Sequence, residues 1–414
     1  MIVKQYIKDF EKLGLGMFVH FGLYSDIGKG EWILHNGKME PKEYYSRMQT
    51  FNPVPDWAQR LVATAKAGGC KYITLTTRHH DGFSLYDTCG LNDLDAVHAA
   101  AGRDLVREFV DACRAGGVVP FFYHTLLDWY MPSYKENFKE YLVYLRKSVE
   151  LLCKNYGKIG GIWFDGMWNK PEEDWEEDAL YGMIRSYQPE AMIINNTGLS
   201  ARGALGHIEL DSVTFERGKP TPINCEGAPK YVASEMCQVF GTHWGYAERD
   251  FLYKSLAEII EDVCSCKKYG ANYLLNVGPR ADGTLRPLDT AMFETLGEWV
   301  EIQKEALYLP RPAGIPVEGV GEERDFLLVN GNTYYLFCHR ISMRGDGNVV
   351  VGNCCDRDSA DVFSLPGKVI SATWLDDGSE VTLQQHENEV ALKPGAYRYG
   401  TNLVVRVAKI VIEP

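Results

Sequence analysis

The chain has 414 residues, of which 45% are hydrophobic, 24% charged and 12% aromatic, a globular composition with room for one large domain and a smaller one. No run approaches the roughly 20 apolar residues of a membrane-spanning helix, and 56 acidic against 43 basic residues, a net charge of −13, disfavour nucleic acid or an anionic membrane as partner. The 11 cysteines are odd in number and scattered, which excludes a clustered secreted disulfide framework; with an N-terminus that has no signal-peptide core, they predict a reducing, cytoplasmic setting.

From about residue 15 to 310, short apolar runs alternate with amphipathic segments. Met17–Phe21, Tyr72–Thr77, Val118–Tyr123, Gly161–Phe164, Met192–Ile194 and Tyr273–Leu275 read as buried strands, each a near-continuous apolar run that ends in polar residues. Between them, Trp57, Leu61 and Ala65 share one helical face, as do Leu105, Val106, Phe109, Val110 and Cys113. Ala67-Gly68-Gly69 and Ala115-Gly116-Gly117 punctuate these helices before the next strand, since glycine accepts the left-handed conformation past a helix end. Roughly six to eight βα units predict a (β/α)8-like barrel over residues 1–310. No glycine-rich phosphate turn follows the first strand, which disfavours a doubly wound dinucleotide-binding sheet.

Past Leu309-Pro310-Arg311-Pro312 the pattern changes. Asp325–Val329, Thr333–Cys338, Asn348–Val351, Val369–Trp374, Glu380–Leu383, Glu389–Leu392 and Leu403–Ile410 are strand-like and separated by turn signals such as Asn330-Gly331-Asn332. Residues 311–414 are therefore expected to form an all-β sandwich, giving the α/β barrel a C-terminal β domain.

Polar residues at the C-terminal ends of barrel strands form the active site of such folds. Here the strands run into His20-Phe21-Gly22 with Glu31-Trp32 soon after, Arg78-His79-His80-Asp81, Tyr123-His124 with Asp128-Trp129, and Trp163-Phe164-Asp165-Gly166. Thr214-Phe215-Glu216 and Trp244-Gly245-Tyr246 follow. Aromatic rings that cover the apolar face of a sugar, beside carboxylates and imidazoles that bond its hydroxyls, describe a carbohydrate site. Asp165 ends an apolar strand, where a carboxylate needs hydrogen bonds or a cleft; capping a helix is an alternative use. Glu216 and Glu235 are candidate partners for it in a two-carboxylate glycosidase. Adjacent strand residues face opposite ways, so His79 and His80 would share a ligand only if the strand had already ended. Neither they nor the pairs Cys264/Cys266 and Cys354/Cys355 have metal-site spacing, and no metal is expected.

Taken together and in order, Gly14 through Tyr24, Glu31-Trp32, Ala67 through Tyr72, Thr76 through Phe83, Trp163-Phe164-Asp165-Gly166, Trp244-Gly245-Tyr246 and Ala271 through Pro279 with Asp282-Gly283-Thr284 resemble the α-L-fucosidases of glycoside hydrolase family 29. The resemblance covers essentially the whole chain and implies a barrel followed by a β-sandwich. It further implies exo-acting, retaining hydrolysis of terminal α-L-fucose from oligosaccharides or glycoconjugates, without a cofactor. Asp165 would be the nucleophile and Glu216 the acid/base, with Glu235 the alternative. His20, Glu31, Trp32, His79, His80, Tyr123 and Trp163 would line the sugar pocket, and Trp244 would lie against the C5 methyl side. An α-L-galactosidase-like enzyme and a non-catalytic carbohydrate-binding protein are the alternatives. One departure stands out: many members carry an Asn-Asp-Arg run whose arginine contacts the sugar, where this chain has Asn195-Asn196-Thr197, so either Arg217 or another group substitutes or that contact is missing. The loops 128–134 and 221–231 would set the linkage preference.

Overall fold

A computed structural model describes residues 2–197, 202–223, 228–319, 324–341 and 360–414. Its contacts divide the chain into two compact units, Met1–Lys254 with Asn272–Glu294, and Ser255–Ala271 with Thr295–Pro414.

The first unit holds a closed barrel of eight parallel strands in sequential order: β1 (Leu15–Val19), β2 (Tyr72–Arg78), β3 (Val119–Thr125), β4 (Gly161–Asp165), β5 (Met192–Asn195), β6 (Ser212–Thr214), β7 (Ala233–Val239) and β8 (Asn272–Val277), the last pairing back onto β1. Six of these follow the apolar runs of the sequence. The other two carry no such run. β6 is three residues long, and β7 (Ala-Ser-Glu-Met-Cys-Gln-Val) is buried along its whole length although Ser234, Glu235 and Gln238 interrupt its apolar residues. The helices Trp57–Ala67 and Leu105–Gly116 bury the faces expected of them, and Gly69 (φ 81°) and Gly117 (φ 69°) make the left-handed turns into β2 and β3.

The barrel interior is packed rather than open. Phe18, Tyr72, Phe121, Tyr123, Trp163, Met192, Ile194, Cys237 and Leu274 fill it, and the helix Gln5–Leu13 closes its lower end with Ile7 and Phe10. Tyr72 reaches across this interior because Gly16 faces it on β1. A Cβ at residue 16 would sit 2.4 Å from the phenol ring, so only glycine leaves the space.

In the second unit β-structure begins at β9 (Arg311–Pro312). A five-stranded antiparallel sheet has the order β13 (Val369–Trp374), β16 (Val405–Ile412), β11 (Thr333–His339), β10 (Phe326–Asn330), β9. A three-stranded one has the order β12 (Asp361–Ser364), β15 (Glu389–Lys393), β14 (Thr382–His386). Side chains of both sheets, among them Leu327, Leu336, Phe363, Trp374, Val390, Leu392 and Ile410, share one core, which makes the pair a sandwich. The expected strand Asn348–Val351, the Cys354/Cys355 pair and residues 224–227 of the 221–231 loop lie outside the described residues. No described helix is long and apolar enough to cross a membrane, and no disulfide joins two of the described cysteines.

Candidate active site

A cavity of about 220 Å³ opens among the C-terminal ends of the barrel strands, lined by Phe18, His20, Trp32, His79, His80, Tyr123, Trp163, Asp165, Trp168, Asn196, Glu216, Cys237 and Trp244. Nine of the residues named from sequence are therefore gathered there. Phe18, Trp168, Asn196 and Cys237 join them. Phe18 was legible in principle, standing two residues before His20, because strand residues i and i+2 face the same side. The same spacing puts Cys237 on the face of Glu235.

Asp165 is the last residue of β4. Gly166 follows with φ 101°, and a Cβ there would come within 2.7 Å of Leu127, so glycine lets the chain turn tightly and leaves the carboxylate at the cavity wall. Its oxygens are held from three sides. Tyr123 O–H donates to Oδ2 (3.1 Å), while Trp168 Nε1–H and Asn196 Nδ2–H donate to Oδ1 (both 3.2 Å). Asn196 Nδ2 also donates to Glu216 Oε2 at 2.6 Å. One nitrogen touching both carboxylates keeps those two oxygens less than about 6 Å apart, an upper bound that accommodates the roughly 5–5.5 Å of retaining glycosidase pairs. Burial, and then the nearby charge of Asp165, raise the Glu216 carboxyl above its ordinary range, against the Asn196 hydrogen bond and the charges of Arg217 and Arg202.

The imidazoles carry no charge at neutral pH. Burial pushes His20 down to about 3 and His80 down to about 4, and holds His79 well below the usual range. Hydrogen bonds fix two of the tautomers. Asn276 spends its amide N–H on the Trp244 carbonyl (2.7 Å), so its Oδ1 accepts from His20 Nδ1–H (2.6 Å). The Thr125 hydroxyl donates to the Leu127 carbonyl, so its oxygen accepts from His80 Nδ1–H (2.7 Å). Each ring is left with Nε2 as an acceptor, that of His80 lying 3.5 Å from Asp165 Oδ2. β2 ends at Arg78, so alternation no longer separates His79 from His80, and both rings face the cavity with centroids 4.2 Å apart. His79 Nδ1 is buried with no protein partner.

Two of the expected residues sit behind the wall rather than in it. Glu31 is buried, and its Oε2 accepts the backbone N–H groups of Trp244 (3.1 Å) and Gly245 (2.8 Å), which fixes the loop that presents Trp244. Glu235 lies inside the barrel on β7, accepting from Tyr72 O–H (2.6 Å) and Trp163 Nε1–H (3.0 Å); burial pushes its carboxyl up to about 7 despite both bonds. Glu235 is buried and does not line the cavity. Arg217 does not line the cavity; its guanidinium lies over the Trp244 ring, 5.1 Å from the centroid. Among the described residues, the group close enough to share a metal ion is Asp325, Cys338 and Asp361, in the β-sandwich unit, and it includes none of the cavity histidines.

A parallel barrel that pairs two carboxylates at its C-terminal mouth, inside a small cavity walled by indoles and neutral imidazoles, has the architecture of a glycoside hydrolase. Comparison with known proteins narrows the class. The family profile described as Alpha-L-fucosidase matches residues 3–305, and the chain belongs to that family, as the sequence motifs led us to expect. Tissue alpha-L-fucosidase of Mus musculus is 29% identical over 332 residues, 73% of this chain and 71% of the mouse protein. Among solved structures, alpha-L-fucosidase isoenzyme 1 of Paenibacillus thiaminolyticus superposes with a TM-score of 0.81 at 27% identity, covering 99% of each chain. A family 29 alpha-L-fucosidase of Bacteroides thetaiotaomicron, trapped as a covalent intermediate with 2-fluoro-fucosyl fluoride, shares the fold at 22% identity, with a TM-score of 0.79 over 99% of this chain and 97% of that one.

Proposed function

We propose that this protein removes terminal α-L-fucose from oligosaccharides or glycoconjugates, one sugar at a time and with retention of anomeric configuration. The observation that carries the reading is the pair Asp165 and Glu216 bonded to one amide nitrogen of Asn196. Asp165 attacks the anomeric carbon while Glu216, whose raised pKa favours its protonated form, gives its proton to the departing glycosidic oxygen. In the second half, Glu216 as carboxylate takes a proton from water, which attacks the same carbon and releases Asp165. Positive charge builds on the ring oxygen and C1 in both transition states, and the carboxylate at β4 stabilises it.

The cavity volume supports exo action: about 220 Å³ is below the roughly 300–1,000 Å³ of sites for larger ligands and suits one ring. The Nε2 atoms of His20 and His80 accept from sugar hydroxyls, and Trp32, Trp163 and Trp244 cover the apolar parts of the ring. The cytoplasmic setting belongs to the same proposal, supported by the lack of any disulfide between described cysteines.

Hydrolysis of an aryl α-L-fucoside followed by proton NMR tests it. The first sugar released is expected to be the α anomer, and Asp165→Ala is expected to lose nearly all turnover. A β anomer first, or near-normal turnover by Asp165→Ala, overturns the assignment. Azide is expected to restore activity to Glu216→Ala and to leave Glu235→Ala unchanged.

A further inference from the structure

We propose that Arg217 is a positioning residue which, through its grip on Trp244, sets how closely the cavity fits the substituent on C5 of the sugar. This rests on the fucosidase reading above and adds to it the element that tells a methyl from a hydroxymethyl group.

Phe18, Trp163, Cys237 and Trp244 form an apolar corner of the cavity, with Phe18 edge-on to both indoles (5.2 Å to Trp163, 5.9 Å to Trp244) and the His20 ring bordering it, 4.6 Å from that of Phe18. A 6-deoxy sugar carries one apolar substituent, the C5 methyl, and the apolar corner is where burying it costs no hydrogen bond. In the corresponding galactoside that carbon bears a hydroxyl, to which the Phe18 and Trp163 faces offer no partner, the Trp163 Nε1–H being taken by Glu235.

Trp244 is the part of this corner that stands on a loop. Its backbone is anchored by Glu31 and Asn276, but its ring is held by packing, against Phe18, against His20 (5.2 Å) and beneath the guanidinium of Arg217 (5.1 Å). Arg217 is placed for this by its backbone. It has φ 49°, a left-handed conformation that a non-glycine residue adopts at a cost. Its N–H donates to the Cys237 carbonyl (2.9 Å) and its Nη2 to the Thr242 carbonyl (2.8 Å), two residues before Trp244. The turn sends Glu216 into the cavity and Arg217 out over the indole. The strained residue thus staples the exit of β6 to the loop carrying Trp244. Without the guanidinium the indole is free to move toward solvent, and the corner widens where C6 lies.

The test compares kcat/KM on aryl α-L-fucoside and aryl α-L-galactoside for the wild type, Arg217→Met, Arg217→Gly, Trp244→Ala and the Arg217→Met/Trp244→Ala double variant. The fucoside preference is expected to fall about tenfold in both Arg217 variants and at least as far in Trp244→Ala, with no further loss in the double variant. An unchanged preference in a folded Arg217 variant, or losses that add in the double variant, overturns the proposal. Glycine tolerates the left-handed backbone, so Arg217→Gly carries the test should Arg217→Met fail to fold. Calorimetric affinities for L-fucose and L-galactose read the same discrimination without turnover. An inactive wild type would then overturn the catalytic reading while the sugar preference still decides the role of Arg217.

Discussion

Asn196 Nδ2 lies 2.6 Å from Glu216 Oε2 and 3.2 Å from Asp165 Oδ1, so a single side-chain amide sets the spacing of the two acidic groups. Removing it in Asn196→Ala takes a donor from each. The hydrogen bond from Asn196 lowers the Glu216 pKa, so its loss lets that pKa rise further and the basic limb of the pH–rate profile moves to higher pH. A fall of about 10–100-fold in kcat/KM is expected. Steady-state kinetics over a pH series checks both, and a basic limb that stays put or moves down contradicts the bridge.

Glu235 gives a stability prediction. Burial raises its pKa in the folded protein from the ordinary 4.5 to about 7, so folding favours its protonated form. The associated stability is fully present below about 4.5 and is lost as pH rises through about 7, to the extent of roughly 3 kcal/mol. Glu235→Gln cannot ionise and carries a pH-independent cost instead. Wild-type Tm is expected to decline between pH 5 and 8 more steeply than that of Glu235→Gln, as measured by thermal melts across that range. Parallel curves would contradict it.

Gly16→Ala forces a methyl to within 2.4 Å of the Tyr72 ring, which is itself bonded to Glu235. Overpacking of this kind costs about 1–3 kcal/mol. Chemical denaturation is expected to show that loss with an unchanged m-value, and a neutral substitution would show that Tyr72 has another place to go.

Thr125→Val removes the acceptor that holds His80 in its Nδ1–H tautomer. The ring is then free to carry its proton on Nε2, where it meets Asp165 rather than accepting from a ligand hydroxyl. KM for the fucoside is expected to rise by about tenfold, with a smaller change in kcat. Nitrogen chemical shifts of His80 read the tautomer directly, and a shift pattern identical to the wild type would remove the basis for the effect.

The barrel was legible where its strands are apolar on both faces, and the β4 segment Gly161–Asp165 announced both its end and its carboxylate. β7 was not legible, because Ser234, Glu235 and Gln238 break the apolar run although the strand is wholly buried. Glu235 therefore read as a possible acid/base, when its partners are Tyr72 and Trp163, contributed by strands 163 and 72 residues away in sequence. Glu31 was misleading for the same reason, since the two backbone N–H groups it accepts return from 213 and 214 residues along the chain. Asn196 was visible as a departure from the expected Asn-Asp-Arg run; its role as the bridge depends on the closure of β5 beside β6, which residue spacing does not encode.

The uncharged state of His20, His79 and His80 has an electrical consequence. Among the lining residues, the groups able to contribute charge are carboxylates, so the interior can be negative or neutral but not positive across the physiological range. A ligand that acquires positive charge on its ring is drawn in, whereas an anionic sugar of the same shape is turned away. The binding chamber is thereby biased toward the cation-like species of the proposed reaction.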